Sequence, residues 1–306
     1  VKCLVTGGAG FIGSHLVDRL VMEGHEVVVL DNLSHGKKEN LPRGAKLVKL
    51  DIRSPKVERA FKRHRPQAVF HLAAQMEVRK SVEDPAFDAE VNILGLVNVL
   101  QAAVQGGCPR VIFASSGGAV YGDQERFPAT EEHPTRPLSP YGVTKRAGEL
   151  YLDYFSEVGL RCASMRLANV YGPRQDPHGE AGVVAIFARK MLDGQTPTIN
   201  GTGKQTRDYV YVDDVVDAFM AAFTRELTGA FNVGTGTETD VNRLYELVAT
   251  HAGFGGTPVH GPAKEGEQMR SVISGIRLTQ ATDWEPNVSL DEGLKRTVDW
   301  FRSLTR

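Results

Sequence analysis

The feature that most limits what this chain can fold into stands near its start: Thr6-Gly-Gly-Ala-Gly-Phe-Ile-Gly13, directly after the apolar run Cys3-Leu-Val. A strand that empties into spaced glycines and then into a helical stretch, Phe11–Met22, has a physical task. Gly7 permits a tight turn, Gly10 leaves the backbone open to a close neighbour, and Gly13 lets the helix sit against the strand. The helix start offers free N–H groups and the positive end of its dipole, a seat for phosphates. Alone, such a turn is weak ground, because glycines also build plain connections. Its setting adds weight. Asp31 ends the second apolar run, where an acid would hold a ribose 2′-hydroxyl and repel a 2′-phosphate. No Arg follows it directly. NAD is therefore expected rather than NADP, with a turn-capping Asp31 as the bland alternative.

The first half keeps this rhythm. Glu26–Leu30, Leu47-Val48, Ala68–His71 and Val111–Ala114 read as strands, and Lys56–His64 and Asp88–Gln105 carry helical spacing. Such alternation calls for a parallel sheet covered on both faces. A helix from Pro140 to Val158 and a strand at Cys162–Leu167 continue it, and after Tyr171 the rhythm breaks up. Helical patterns return at Val183–Leu192, Asp213–Phe223, Arg243–His251 and Leu290–Leu304. The expected fold is α/β, a doubly wound parallel (Rossmann) sheet with a smaller C-terminal substrate lobe. Residues 1–167 would bind NAD, with 204–233 returning to that sheet through a strand at Asp208–Tyr211. Residues 168–203 and 234–306 would form the lobe.

Composition excludes several classes. Among 306 residues, 36 Lys+Arg nearly balance 37 Asp+Glu, which is not the basic field of a nucleic-acid binder. Three scattered cysteines suggest neither a disulfide framework nor a metal site, so a reducing compartment is expected. The strand pattern opening at Val1 gives no sign of a signal peptide. The uncharged stretch Val91–Pro109 is interrupted by Asn92, Asn98, Gln101 and Gln105, and reads as a buried or subunit-interface helix rather than a membrane span. A cytoplasmic, soluble protein is expected.

The most informative stretch is Ser139-Pro-Tyr-Gly-Val-Thr-Lys145. Ser is a good N-cap and Pro suits the first helical position, so Tyr141 belongs in the first turn with Lys145 one turn on, on the same face. An ammonium ion and the helix dipole both favour phenolate, and half-ionisation near neutrality asks for about 4 kcal/mol. The spacing alone is not specific. An exposed Tyr and a surface Lys would look the same.

Together these residues resemble the extended short-chain dehydrogenases/reductases, in the NAD-dependent sugar-nucleotide epimerase/dehydratase group. The ordered matches are Thr6–Gly13, Asp31-Asn32-Leu33, Asp51-Ile52, His71–Gln75, Asn92, Ser115–Gly122, Tyr141–Lys145, Asn169–Arg174 and Arg207-Asp-Tyr209. Within that group the likeness is greatest to UDP-glucose 4-epimerases, through Asp31-Asn-Leu, Gln175-Asp-Pro and Glu180–Phe187. The resemblance implies transient oxidation at C4 of a UDP-hexose, rotation of the 4-keto sugar and reduction from its other face, with Tyr141 as base and Lys145 beside it. It places NAD against Gly7, Gly10, Phe11, Ile12, Gly13, Asp31, Asn32, Gly36, Asp51, Ile52, Leu72, Ala73, Ala74, Gln75, Asn92, Ser115, Tyr141 and Lys145. It places the UDP-sugar against Asn169, Val184, Thr198, Asn200, Arg207, Glu267 and Ser271, with no metal.

One position departs from the family. Its usual hydroxyl residue falls on Gly117 here, so the hydroxyl passes to Ser116, with Ser115 as the alternative. The Asp-Glu pair of the related dehydratases is Gly118-Ala119, leaving no acid to protonate a departing hydroxyl. Small Ser271, at the position that limits sugar size, leads to the expectation that N-acetylated UDP-hexoses are accepted. Arg270 reads as a spare cation, and Arg174 keeps a UDP-glucuronate reading open. A non-catalytic NAD-binding regulator is the rival of another class. Helices 88–105 and 140–158 resemble the pair the family uses to form a homodimer, with Val91, Leu94, Val97 and Leu100 as the apolar stripe. Packing on the chain's own sheet would use much the same stripe.

Overall fold

A computed structural model describes residues 1–178, 182–263, 266 and 268–304. The first strands and helices follow from the sequence rhythm: β1 (Lys2–Thr6), α1 (Phe11–Met22), β2 (Glu26–Asp31), β3 (Ala45–Lys49), α2 (Val57–His64) and β4 (Ala68–His71). There follow a long helix α3 (Pro85–Gln105), β5 (Arg110–Ser116), α4 (Pro140–Glu157) and β6 (Arg161–Leu167). Later come α5 (Val183–Leu192), α6 (Val212–Thr224), β7 (Gly229–Val233), α7 (Val241–Ala252) and α8 (Leu290–Ser303).

The seven strands form one parallel sheet in the order β7-β6-β5-β4-β1-β2-β3. From β1 the chain first winds out to β2 and β3, then returns to the other side of β1 at β4. The crevice at the C-terminal ends of β1 and β4 is thus the topological switch point, where open α/β sheets bind ligands.

Both faces of the sheet are covered. Leu16, Val17 and Leu20 of α1 pack with Val215, Phe219 and Phe223 of α6 on one face. Phe61, Leu96, Leu100, Leu152 and Phe155 fill the other. Leu96, Val99, Leu100 and Ala103 recur at helical spacing and are fully buried, the larger ones worth about 1.5–3 kcal/mol each. This accounts for the apolar character of α3. It is long and apolar enough to cross a membrane by length and composition, yet its inner face is part of the sheet's core. A third core joins α5, α7 and α8 through Phe187, Leu244, Val248, Leu294 and Phe301.

Two expectations are corrected. Tyr209–Tyr211 does not enter the main sheet but pairs in parallel with Asn169–Tyr171, and the strand that does return is β7. Leu100 turns inward to the chain's own core, whereas Leu94 on the outer face is 62% exposed.

Candidate active site

At the switch point the glycines answer a steric demand. Gly7 has φ +69°, and a Cβ on it would lie 2.6 Å from the backbone nitrogen of Ala73 beyond β4. A Cβ on Gly13 would sit 2.2 Å from the Gly7 carbonyl oxygen, so α1 can approach the turn only without one. No side chain caps α1, which leaves its first N–H groups facing the crevice beside Gly10, Phe11 and Ile12. Asp31 is buried at the end of β2; Oδ2 accepts from Ala9 N at 3.0 Å and Oδ1 from Leu33 N at 2.8 Å. Gly36 lies against it: a Cβ there would come 3.0 Å from Asp31 Oδ1. These tight glycines, the open helix start and the acid fit a dinucleotide.

Leu72, Ala73 and Ala74 line the exit of β4, half-buried, and Ala73 N donates to Thr6 Oγ1. The Asn32 amide donates to Asp51, whose carboxylate also takes two bonds from the Arg53 side chain and is held well below the usual carboxylate range. Ile52 packs against Gly95 of α3. Asn92 and Gln75 are buried and turned on each other, the Asn92 amide clamping the main-chain N–H and C=O of Gln75.

Ser139 caps α4 as its sequence predicts, its Oγ accepting from Gly142 N, and Tyr141 lies in the first turn. Ser116, at the end of β5, is the hydroxyl beside the Tyr141 phenol, and it favours the ionised form. Ser115 turns elsewhere: its Oγ donates to Glu149 at 2.7 Å, deep behind the strand. At Gly117 a Cβ would come 2.6 Å from the tip of the Ile273 side chain, which would have to shift to admit one. Lys145 is buried, with Nζ donating to the Ala114 carbonyl at 2.8 Å, 4.8 Å from the Phe113 ring and 5.7 Å from the Tyr141 ring.

The expected acidification of Tyr141 is not found in this chain by itself. Burial pushes the phenol up to about 12; the Ser116 hydroxyl lowers it, and the Asp88 carboxylate raises it again. Lys145 lies beside the ring rather than bonded to its oxygen, and burial brings its own pKa down to about 8. The pair is poised, but the phenol stays protonated at neutrality.

Asn169 and Arg207 are half-buried on short strands of two different small sheets, and Arg207 Nη1 donates to the Thr206 carbonyl. Val184 is buried in α5, Thr198 is exposed, and half-buried Asn200 ends the same short strand as Thr198. Ser271 is buried, its Oγ 3.4 Å from where a Cβ on Gly118 would sit, so two small residues face each other across this wall. Glu267 lies outside the described residues. Arg270 is no spare cation: Glu238 takes two bonds from it, and its guanidinium stacks 3.7 Å from the Phe127 ring centroid. Arg174 pairs with Asp18 at 2.7 Å and donates to Ser14, both on α1, so nothing in its placement favours a carboxylated sugar. Among the described residues no cluster of three or more His, Cys, Asp or Glu is arranged to hold a metal.

The sequence model of the NAD dependent epimerase/dehydratase family matches residues 3–234. The chain belongs to that family. The UDP-glucose 4-epimerase of Mycolicibacterium smegmatis is 46% identical over 99% of both chains. Two crystal structures share 47% identity with this epimerase-family chain. One is a UDP-glucose 4-epimerase from Thermotoga maritima with UDP-glucose (TM-score 0.98, 100% of both chains); the other is from Thermus thermophilus, in complex with NAD (TM-score 0.94, 99% of both).

Around the epimerase-family site, Glu149, Arg166 and Asp88 were not found from sequence, and His71 stood in a matched motif without a role. His71, fully enclosed, bonds Thr6 Oγ1 at 2.8 Å and stacks on Phe113. Glu149 and Arg166 form a buried ion pair at 2.8 Å behind Ser115. Asp88 is fully buried between α3 and α4. One signal was available: Asp88 and Asn92 are four apart and share a helical face.

Proposed function

We propose that this chain is an NAD-dependent UDP-hexose 4-epimerase, an isomerase acting at C4 of UDP-glucose and UDP-galactose. The observation that carries the proposal is the meeting of Ser116, Tyr141 and Lys145 at the C-terminal end of the sheet, which also holds the glycine turn. When bound, NAD⁺ supplies the two-electron oxidation of C4, its reversal, and a positive charge beside the phenol. Tyr141 takes the C4 hydroxyl proton and later returns it, with Ser116 holding the phenol in place. Lys145 contributes a buried cation one turn away. Gly118 and Ala119 offer no acid, so elimination of water has no donor and the sugar leaves as an isomer.

In this reading residues 1–167, with 204–233, carry NAD, and residues 168–203 and 234–306 carry the UDP-sugar. Asn169, Val184, Thr198, Asn200 and Arg207 are assigned to the nucleotide and diphosphate, Arg207 supplying a guanidinium for anionic oxygens. Glu267 is assigned with them from sequence alone. Small Ser271 opposite Gly118 leaves room for an N-acetyl group, so UDP-N-acetylglucosamine is a second substrate. Leu94, Val143, Leu150 and Tyr154, each more than half exposed on α3 and α4, support a homodimer through these helices. A cytoplasmic location belongs with the same reading.

The test is incubation with UDP-glucose, UDP-glucuronate and UDP-N-acetylglucosamine in turn, without added NAD. Isomerised UDP-hexoses with no net NADH are expected, and Tyr141→Phe abolishes them. A 4-keto-6-deoxy product, or turnover surviving in that variant, would overturn the assignment. Gel filtration giving a monomer would remove the dimer.

A further inference from the structure

We propose that Asp88 is a positioning residue, a buried carboxylate that ties the loop after β4 to α4 and balances the charge of Lys145. The proposal deepens the epimerase reading and rests on it for its kinetic arm. Asp88 is 0% exposed. Its Oδ1 accepts from the Gln75 amide at 2.8 Å and the Asn92 amide at 3.0 Å; its Oδ2 accepts from Thr144 Oγ1 at 2.8 Å. Thr144 immediately precedes Lys145, and its hydroxyl also lies 3.0 Å from the Tyr141 carbonyl. One carboxylate therefore joins the exit of β4, α3 and the first turn of α4.

All three donors to Asp88 are neutral. A buried carboxylate without a cation is costly and is normally kept only beside an opposite charge. The other buried acid near Lys145, Glu149, is already paired with Arg166 and Arg146. Charged or titratable groups on the neighbouring elements are Tyr141, Lys145 and Glu149 on α4, His71 on β4, and Lys80 and Arg53, which lie 4.8 and 5.4 Å over the ring of adjoining Phe87. His71 is held neutral by burial, at about 3. Lys145 is the buried cation that the Asp88 charge acts on, favouring its charged form while opposing ionisation of Tyr141.

Asp88→Asn isolates the charge. The Asn oxygen can accept from Gln75 and Asn92, and its NH₂ can donate to Thr144 Oγ1, whose own proton turns to the Tyr141 carbonyl. The shape and the bonds survive; the charge does not. Tyr141 ionisation is read by phenolate ultraviolet absorbance as the difference from Tyr141→Phe in the same background, which requires no turnover. In D88N its midpoint moves to lower pH by about one unit or more, and both limbs of the kcat/KM profile move the same way. An unmoved Tyr141 midpoint in D88N would overturn the proposal, whatever the protein turns over. If wild type shows no epimerase activity, the function falls while the titration still decides on Asp88. Should D88N fail to fold, Thr144→Val cuts the tether and keeps the charge. It then lowers kcat about tenfold with the Tyr141 midpoint in place, and unchanged kcat would refute the positioning role.

Discussion

Acid should weaken this fold through His71 in a way that can be measured residue by residue. The ring is fully enclosed, bonded by Nδ1 to Thr6 Oγ1 and stacked on Phe113, and burial with the nearby Lys145 charge lowers it from 6.5 to about 3. Between those values an unfolded chain binds a proton at this position and the folded chain does not. Stability is therefore full above pH 6.5 and is lost as the pH falls toward 3, at up to about 1.4 kcal/mol per pH unit. That amounts to about 2 kcal/mol at pH 5, and about 5 kcal/mol if the whole window could be crossed before unfolding. His71→Asn retains a polar atom for Thr6 but cannot take up the proton. Urea denaturation of both proteins at pH 7, 6 and 5 gives the difference in slope, and the other histidines cancel in it. The variant starts less stable, having lost ring packing on Phe113, yet declines less steeply. Parallel slopes would refute the argument, since they would mean that folded His71 titrates normally.

Gly13→Ala forces α1 away from the Gly7 carbonyl, costing about 1–3 kcal/mol and displacing the N–H groups offered to phosphate. Its purified form should carry less NAD, measured after acid release, and full occupancy would count against the seat described. Ser116→Ala is expected to lower kcat about a hundredfold, whereas Ser115→Ala leaves Glu149 one donor short and shows as a loss of about 1 kcal/mol in stability. The reverse order, read by kinetics and thermal melts, would exchange the two roles. Ser271→Tyr fills the wall opposite Gly118; UDP-N-acetylglucosamine turnover should vanish while UDP-glucose turnover persists. Equal loss of both would show that the wall does not select sugar size.

Local signals were readable where chemistry allowed few choices. The Ser139-Pro140 start of α4 formed as written because an N-cap and a fixed φ act within one turn. Gly7 and Gly13 were legible for the same reason, although the neighbours that demand them, Ala73 and the Gly7 carbonyl, come from the fold. Between Ser116 and Ser115 the motif left two choices; they fall on opposite sides of β5, as strand neighbours must, and only the fold shows that Ser115 turns to Glu149. What sequence could not give was long-range electrostatics. Tyr141 and Lys145 sit at the right spacing, but the balance between burial, Asp88 and Ser116 is set by α3 and β5. Arg174 and Arg270 looked available because their partners, Asp18 and Glu238, lie far away in the chain. Tyr209–Tyr211 has good strand character, and only the crowding of β6 by β7 shows why it pairs elsewhere.

The outermost strand beside β6 has a consequence for the life of the molecule. Because β7 is made only after residue 228, a ribosome has already released the α5 segment before the sheet can gain its final member. Until then β6 presents a bare row of amides and carbonyls to solvent, a template for mispairing with another chain. A fragment ending at residue 203 would keep the glycine turn and Tyr141 yet remain open along that side. The seven-stranded sheet therefore cannot be recovered by one cut, and any fragment meant to keep it must carry the later strand along with it.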